Sequence, residues 1–184
     1  AGLRALGSGQ VLDEVLAIVL DSTLELTGAE RGFILLAEPG GQLVQRLART
    51  RGGMTLTSAQ TSKRIPDEVF ATGVDRIVSD LLDDANASRH GGTLALGIRH
   101  VLCTPLKVAQ FGAESHGDGG ERRIGVLYLD RRKKGYLQNA GVLHALAAEL
   151  AVVIENARLY QEAVQAERAA QELRIASEIQ RALL

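Results

Sequence analysis

One thiol, four imidazoles, a knot of carboxylates and a basic run are the groups in this sequence whose types could do chemistry. Cys103, in VLCTPL, would have to be exposed beside a base to act as a nucleophile. It stands on a segment apolar on both faces, where a small core residue is the expected role. As the only cysteine it excludes an internal disulfide framework and a thiolate zinc cluster. His90 and His100 could approach a cavity as ligands or acid/base groups, whereas His116 sits in a glycine-rich insert and His144 in a helical stretch. No spaced carboxylate or cysteine set accompanies them, so neither a metal nor a cofactor is expected. Asp80, Asp83 and Asp84 could hold a hard cation through oxygen ligands, although capping and solvation are the commoner roles of such clusters. The run RRKK at 131–134 invites a phosphate or nucleic-acid reading. No aromatic or groove-reading element accompanies it, and a solvated turn is expected. The glycines of GDGG lack the Lys-Ser/Thr pair of a phosphate loop and read as a hairpin tip.

The elements that must position these groups follow from the apolar period. Leu12, Val15, Leu16, Val19, Thr23 and Leu26 share one face of a helix that Gly28 stops. Residues 31–38 and 42–50 flank Pro39-Gly40-Gly41 and form a hairpin. Ser62 can cap a short helix through Ala71, ended at Thr72-Gly73, with a third strand at 74–79. Residues 80–96 form an irregular lid. Strands at 100–108 and 123–130 are separated by the insert GAESHGDGGER, and a last helix starts near Asn139 with no breaker before Leu184.

Three strands are apolar on both faces. Phe33 and Leu35 oppose Ile34 and Leu36; Val101 and Cys103 oppose Leu102 and Leu106; Ile124, Val126 and Tyr128 oppose Leu127 and Leu129. An antiparallel sheet usually leaves one face wet, so both faces here need cover. The first and last helices fit one side. The other falls to the connection 54–98, too polar to be solid core, and a partly lined cavity is expected beneath it.

Composition bounds the rest. With 184 residues, 46% of them apolar, the chain has room for one domain and an appendage. Its 21 basic and 22 acidic side chains create no overall field for nucleic acid or an anionic membrane. No stretch reads as the roughly twenty uninterrupted apolar residues of a membrane span, and no signal core opens the chain. A soluble, cytoplasmic protein is expected.

Taken in order, TGAERGFILLAE, VSD, GIRHVLCTPLKV, IGVLYLD and ALAAELAVVIENARLY resemble a GAF domain over residues 11–160. The resemblance implies an α+β fold related to PAS domains: an antiparallel sheet in the order 2-1-5-4-3, helices on one face, and a small-molecule pocket on the other. Its lining is expected from Ser79, Asp80, Leu81, Arg99, His100, Leu102 and Tyr128. The cyclic-nucleotide pattern of some GAF domains is not matched: Asp130-Arg131 replaces its Asn-Lys, Tyr136 its Phe, and Ala140-Gly141 its Asp-Glu. The single cysteine also departs from GAF-like enzymes that reduce methionine sulfoxide, and Cys103-Thr104 from a bilin anchor.

Residues 161–184 read as a linker helix. ELRIASEIQRALL is similar to the linker joining such sensory domains to PPM-type serine/threonine phosphatases of bacterial partner-switching systems, whose metal-binding aspartates lie downstream. The resemblance therefore implies a non-enzymatic regulatory piece. A histidine-kinase continuation is disfavoured because the tail contains no His. Leu159, Ala163, Ala166, Ala170, Leu173, Ser177, Gln180 and Leu184 follow the alternating spacing of a coiled-coil seam, and a homodimer through the first and terminal helices is expected. A second stripe of Ile175, Ala176, Ile179 and Leu183 makes the register ambiguous. Two other readings stand beside the sensor: a ligand-free dimerisation scaffold and a thiol redox enzyme using Cys103.

Overall fold

The computed structural model describes residues 9–57, 61, 63–79, 97–109, 120–133 and 137–184. Helix α1, Gln10–Thr27, buries Leu16, Leu20, Thr23, Leu24 and Thr27 and ends where Gly28 adopts φ 75° and donates its N–H to the Leu24 carbonyl. Its two buried threonines are satisfied within the helix: Thr23 donates to the Val19 carbonyl and Thr27 to the Thr23 carbonyl, each at 2.7 Å. Such back-bonding keeps a hydroxyl out of water without an orphaned donor.

Strands β1 (Arg31–Ala37) and β2 (Leu43–Thr50) form the expected hairpin, with Gly40 and Gly41 at positive φ in its turn. Helix α2, Arg64–Thr72, follows. Ser62, the expected cap, lies outside the described residues, and the helix opens from Lys63 without a side-chain cap bond. Strand β3, Arg76–Val78, is shorter than the 74–79 expected. The Val74 N–H turns back to the Thr72 hydroxyl, and Asp75 is engaged by side chains, so neither residue continues the ladder. Strands β4 (His100–Ala109) and β5 (Glu121–Arg131) complete one antiparallel sheet in the order β2-β1-β5-β4-β3.

Both faces of the sheet are buried. On the helix side, α1 and the first half of helix α3, Ala140–Leu183, pack through Leu16, Leu20, Leu143, Leu150 and Ile154 onto Ile34, Leu102, Leu127 and Leu129. The opposite face carries Phe33, Leu35, Val101, Cys103, Val126 and Tyr128, covered in part by Ile65 and Val69 of α2. One assignment differs from the alternation in the sequence: Ile124 belongs to the helix-side core with Leu127 and Leu129, not with Val126 and Tyr128. The register explains it. Leu106 pairs with Gly125 but Lys107 pairs with Arg123, so Ile124 is the extra residue of a bulge and its side chain changes face. Gly125 beside it is required by close approach, since a Cβ there would stand 2.1 Å from the Leu35 carbonyl oxygen.

By length and hydropathy alone α3 could cross a membrane, with a window of mean hydropathy 1.4. Its first half instead supplies Leu143, Ala147, Leu150, Ala151 and Ile154 to the core. Past Ala157 it leaves the body, and its side chains are exposed apart from the half-buried Val164. At 1.5 Å per residue the whole helix spans about 66 Å. Glu155 fastens the point of departure by accepting from Arg122 of β5 and from Arg158.

Candidate functional site

The face of the sheet away from α1 and α3 carries a buried cluster built on Tyr128, Asp130 and Arg31. Tyr128 stands at its centre, paired in register with Phe33 on one side and Cys103 on the other. Its ring meets that of Phe33 edge-on, with centroids 5.6 Å apart. Its hydroxyl is buried, with the Asp130 carboxylate as its polar neighbour. Two residues further along β5, Asp130 is fully buried and receives two bonds from the Arg31 guanidinium, Nε to Oδ1 at 2.9 Å and Nη2 to Oδ2 at 2.5 Å. The same guanidinium lies over the Phe33 ring at 5.2 Å. Burial pushes the Asp130 carboxyl up and Arg31 opposes that shift. Burial likewise works against the Arg31 charge, but hydrogen bonding and attraction to Asp130 outweigh it.

Nearer the hairpin turn, the same face opens into a cleft of 830 Å³ between the β1–β2 hairpin and α2. Leu35, Leu43, Pro66, Phe70 and Ala71 give it apolar walls, and Gln42, Gln45, Thr61, Lys63 and Asp67 supply polar groups. That size and mixture suit a small organic molecule. The sequence offered Gly40-Gly41 as a turn and Phe70 as part of a helix, but gave no sign that the two would face each other across a cavity.

The residues expected to line a pocket divide between places. Ser79, His100 and Leu102 share a cavity of 50 Å³ with Leu137 and Ala140, on the helix side of the sheet. That is room for a water or two, not a metabolite. Leu102 packs with α1 and α3, whereas Tyr128 points to the opposite face. Arg99 is half-buried at the start of β4, its N–H donating to the Arg131 carbonyl at 3.0 Å. Asp80 and Leu81 lie outside the described residues, as do His90, Asp83, Asp84, His116 and Tyr136.

Other candidate groups take structural places. Cys103 is fully buried, and burial pushes its thiol well up with the Asp75 charge adding to the effect. The thiolate that a redox nucleophile needs is therefore disfavoured. His144 on α3 meets Asp75 at 2.5 Å, and Asp75 also accepts from the buried Thr104 hydroxyl at 2.7 Å, so this carboxylate ties α3 to the entry of β3. Arg131 donates to the carbonyls of Gly28 and Lys133 beneath a second, basic cleft of 440 Å³. Among the described residues no group of three His, Cys, Asp or Glu side chains is arranged to hold a metal ion.

The GAF domain family matches residues 10–155 of the chain. No curated protein matches the sequence. Among solved structures, the GAF domain of a two-component sensor histidine kinase from Bacillus halodurans is similar at 21% identity and a TM-score of 0.54, covering 81% of this chain and 97% of that one. The GAF domain region of a protein from Geobacter sulfurreducens has 16% identity and a TM-score of 0.60, with 84% and 99% covered. A far-red cyanobacteriochrome photoreceptor has 21% identity and a TM-score of 0.57, with 79% and 86% covered. At these identities the likeness is one of fold. The family match over most of the chain, the sheet order and the helix-covered face together make this protein a member of the GAF domain family.

Proposed function

We propose that this chain is the sensory and regulatory module of a signalling protein. It binds a small molecule on the sheet face opposite its terminal helix, works as a homodimer through α1 and α3, and controls a serine/threonine phosphatase attached beyond residue 184. It is not itself an enzyme, and it works in the cytoplasm. The observation that carries the reading is a division of labour across one sheet. The 830 Å³ cleft and the Tyr128–Arg31–Asp130 cluster occupy one face, and the 44-residue helix is rooted on the other. Strand β5 bears on both, with Val126 and Tyr128 on the first face and Leu127 and Leu129 on the second, so a ligand that moves β5 moves the base of α3. The tail ELRIASEIQRALL, similar to a phosphatase linker, supports the choice of output.

A second placement of the ligand is against Tyr128, on the same face as the cleft; Ser79, His100 and Leu102 lie on the helix side and do not share it. It is favoured by the buried Tyr128 hydroxyl beside Asp130, a polar pair that a ligand could engage. Two variants separate the placements: Ala71→Trp fills the cleft, and Tyr128→Phe removes the hydroxyl. A metabolite panel read by thermal shift, with mass spectrometry of molecules released from purified protein, should find a compound that raises apparent stability by mass action. Binding lost in Ala71→Trp alone assigns the cleft, and binding lost in Tyr128→Phe alone assigns the site at Tyr128. No binder in the panel and none released leaves the ligand-free scaffold. In the longer protein, phosphatase activity that ignores the bound compound would sink the proposed output.

A further inference from the structure

The exposed line of α3 does not begin in the tail. Extending the spacing of Leu159, Ala163, Ala166, Ala170 and Leu173 backward gives Asn156, Val152, Glu149, Ala145 and Val142, in unbroken alternation of three and four residues. Every one of these positions is exposed, Val152 at 55% and Leu159 at 48%. The residues that α3 gives to the body are Leu143, Ala147, Leu150, Ala151 and Ile154. At about 100° per residue, the mean direction of the line from Val142 to Asn156 lies roughly 180° from theirs. Along the body, then, the helix has two separate faces: one consumed by the sheet and α1, the other exposed on a 3.5-residue period and covered by none of the described residues.

In heptad terms Val142, Glu149, Asn156, Ala163 and Ala170 take the a positions, and Ala145, Val152, Leu159, Ala166 and Leu173 the d positions. Asn156 identifies the occupant. As the one amide at an a position, it is costly against an apolar partner and is satisfied against a copy of itself, and that self-pairing requires parallel helices in register. An antiparallel arrangement would set Asn156 against an unlike residue. Glu149, by contrast, would face its own charge in the second copy, and the alanines bury little area, so the association is weak and open to modulation.

We propose that the partner covering this face is a second copy of the chain, and that the dimer interface is one parallel α3–α3 seam running from Val142 through the tail, with Asn156 paired to Asn156 of the second copy as the element that sets register. The proposal rests on the homodimer reading above and names its surface. It also gives that reading a mechanical sense, because the seam passes the body on the helix face directly behind the one that senses the sheet.

The test uses the full chain with single cysteines at exposed positions; Cys103 is buried and does not compete. Under mild oxidation Val152→Cys and Leu159→Cys should crosslink in high yield and Arg168→Cys, off the seam, should not. Glu149→Leu should tighten the dimer by about tenfold or more in sedimentation, while Glu172→Leu, off the seam, leaves it unchanged. Adding Asn156→Leu to Leu159→Cys should keep association but lower the crosslink and admit larger species, as register is lost. Circular dichroism of each variant verifies the fold. A chain that stays monomeric at every concentration overturns both the homodimer and the seam. A dimer that crosslinks at 168 as well as at 152 and 159, or that ignores Glu149→Leu, keeps the homodimer and overturns the seam.

Discussion

Arg31 and Asp130 lie 99 residues apart and meet as a two-pronged ion pair whose guanidinium lies over the Phe33 ring. Asp130 is fully buried, so its charge depends on that guanidinium. Removing one partner of a buried pair leaves an uncompensated charge, and Arg31→Met should cost about 3 kcal/mol near neutral pH in denaturant melts. The pH dependence has a definite sign. Burial already raises the Asp130 carboxyl above the ordinary range and Arg31 opposes it, so losing Arg31 raises it further. A carboxyl whose folded value is raised favours the fold at low pH, and that contribution is lost as pH rises through the folded value. The deficit of Arg31→Met should therefore shrink on acidification and be largest from neutral pH upward; a deficit constant with pH would contradict the account. Neither Arg31 nor Asp130 announced this partnership in the sequence, where each stood at the end of a different apolar run.

At the scale of elements, the decisive joint is where α3 leaves the sheet. Glu155 accepts from Arg122 of β5 at 2.7 Å and from Arg158 of its own helix. The Arg158 hydrogen bond, aided by Arg122, holds its carboxyl below the usual glutamate range. A depressed carboxyl contributes stability that is present above the unfolded value and fades as pH falls through the folded one. Its arginine partners are exposed, at 43% and 44%, so solvent screening keeps the effect small, on the order of 0.5 kcal/mol. Glu155→Gln should loosen residues near the joint at neutral pH, seen as faster amide exchange around 153–160, and should match the parent protein in strong acid; equal exchange at neutral pH would remove the clamp. The helix itself was legible from Leu143, Ala147, Leu150 and Ile154 at helical spacing. Its clamp was not, because Arg122 comes from another strand.

For the whole molecule, the structure separates a body with two cores from a helix whose far half is exposed apart from Val164. Most helical stability in proteins comes from packing an apolar face rather than from propensity. Amides of the buried stretch 143–154 should exchange slowly at any protein concentration, whereas those beyond residue 160 should gain protection as concentration rises and the seam forms. Tail protection independent of concentration would mean that the helix is held some other way. This gradient is what a regulatory output needs, since a segment that is ordered only by its partner can be biased by small changes at its root.

The sequence by itself determined the local order: an amphipathic first helix, a glycine hairpin, strands apolar on both sides, a long last helix with a seam in its tail, and the succession of segments that resembles a GAF domain. Periods of two and 3.6 residues write such features into neighbouring side chains. Only the tertiary structure decided that Ile124 turns to the helix side, that Leu102 and Tyr128 face opposite ways, that Gly40 and Phe70 border one cleft, and that Val142, Val152 and Asn156 stay uncovered along the body. A bulge carries no signature in composition yet reverses a face, and a cleft or an exposed line exists only once strands distant in the chain have chosen their neighbours.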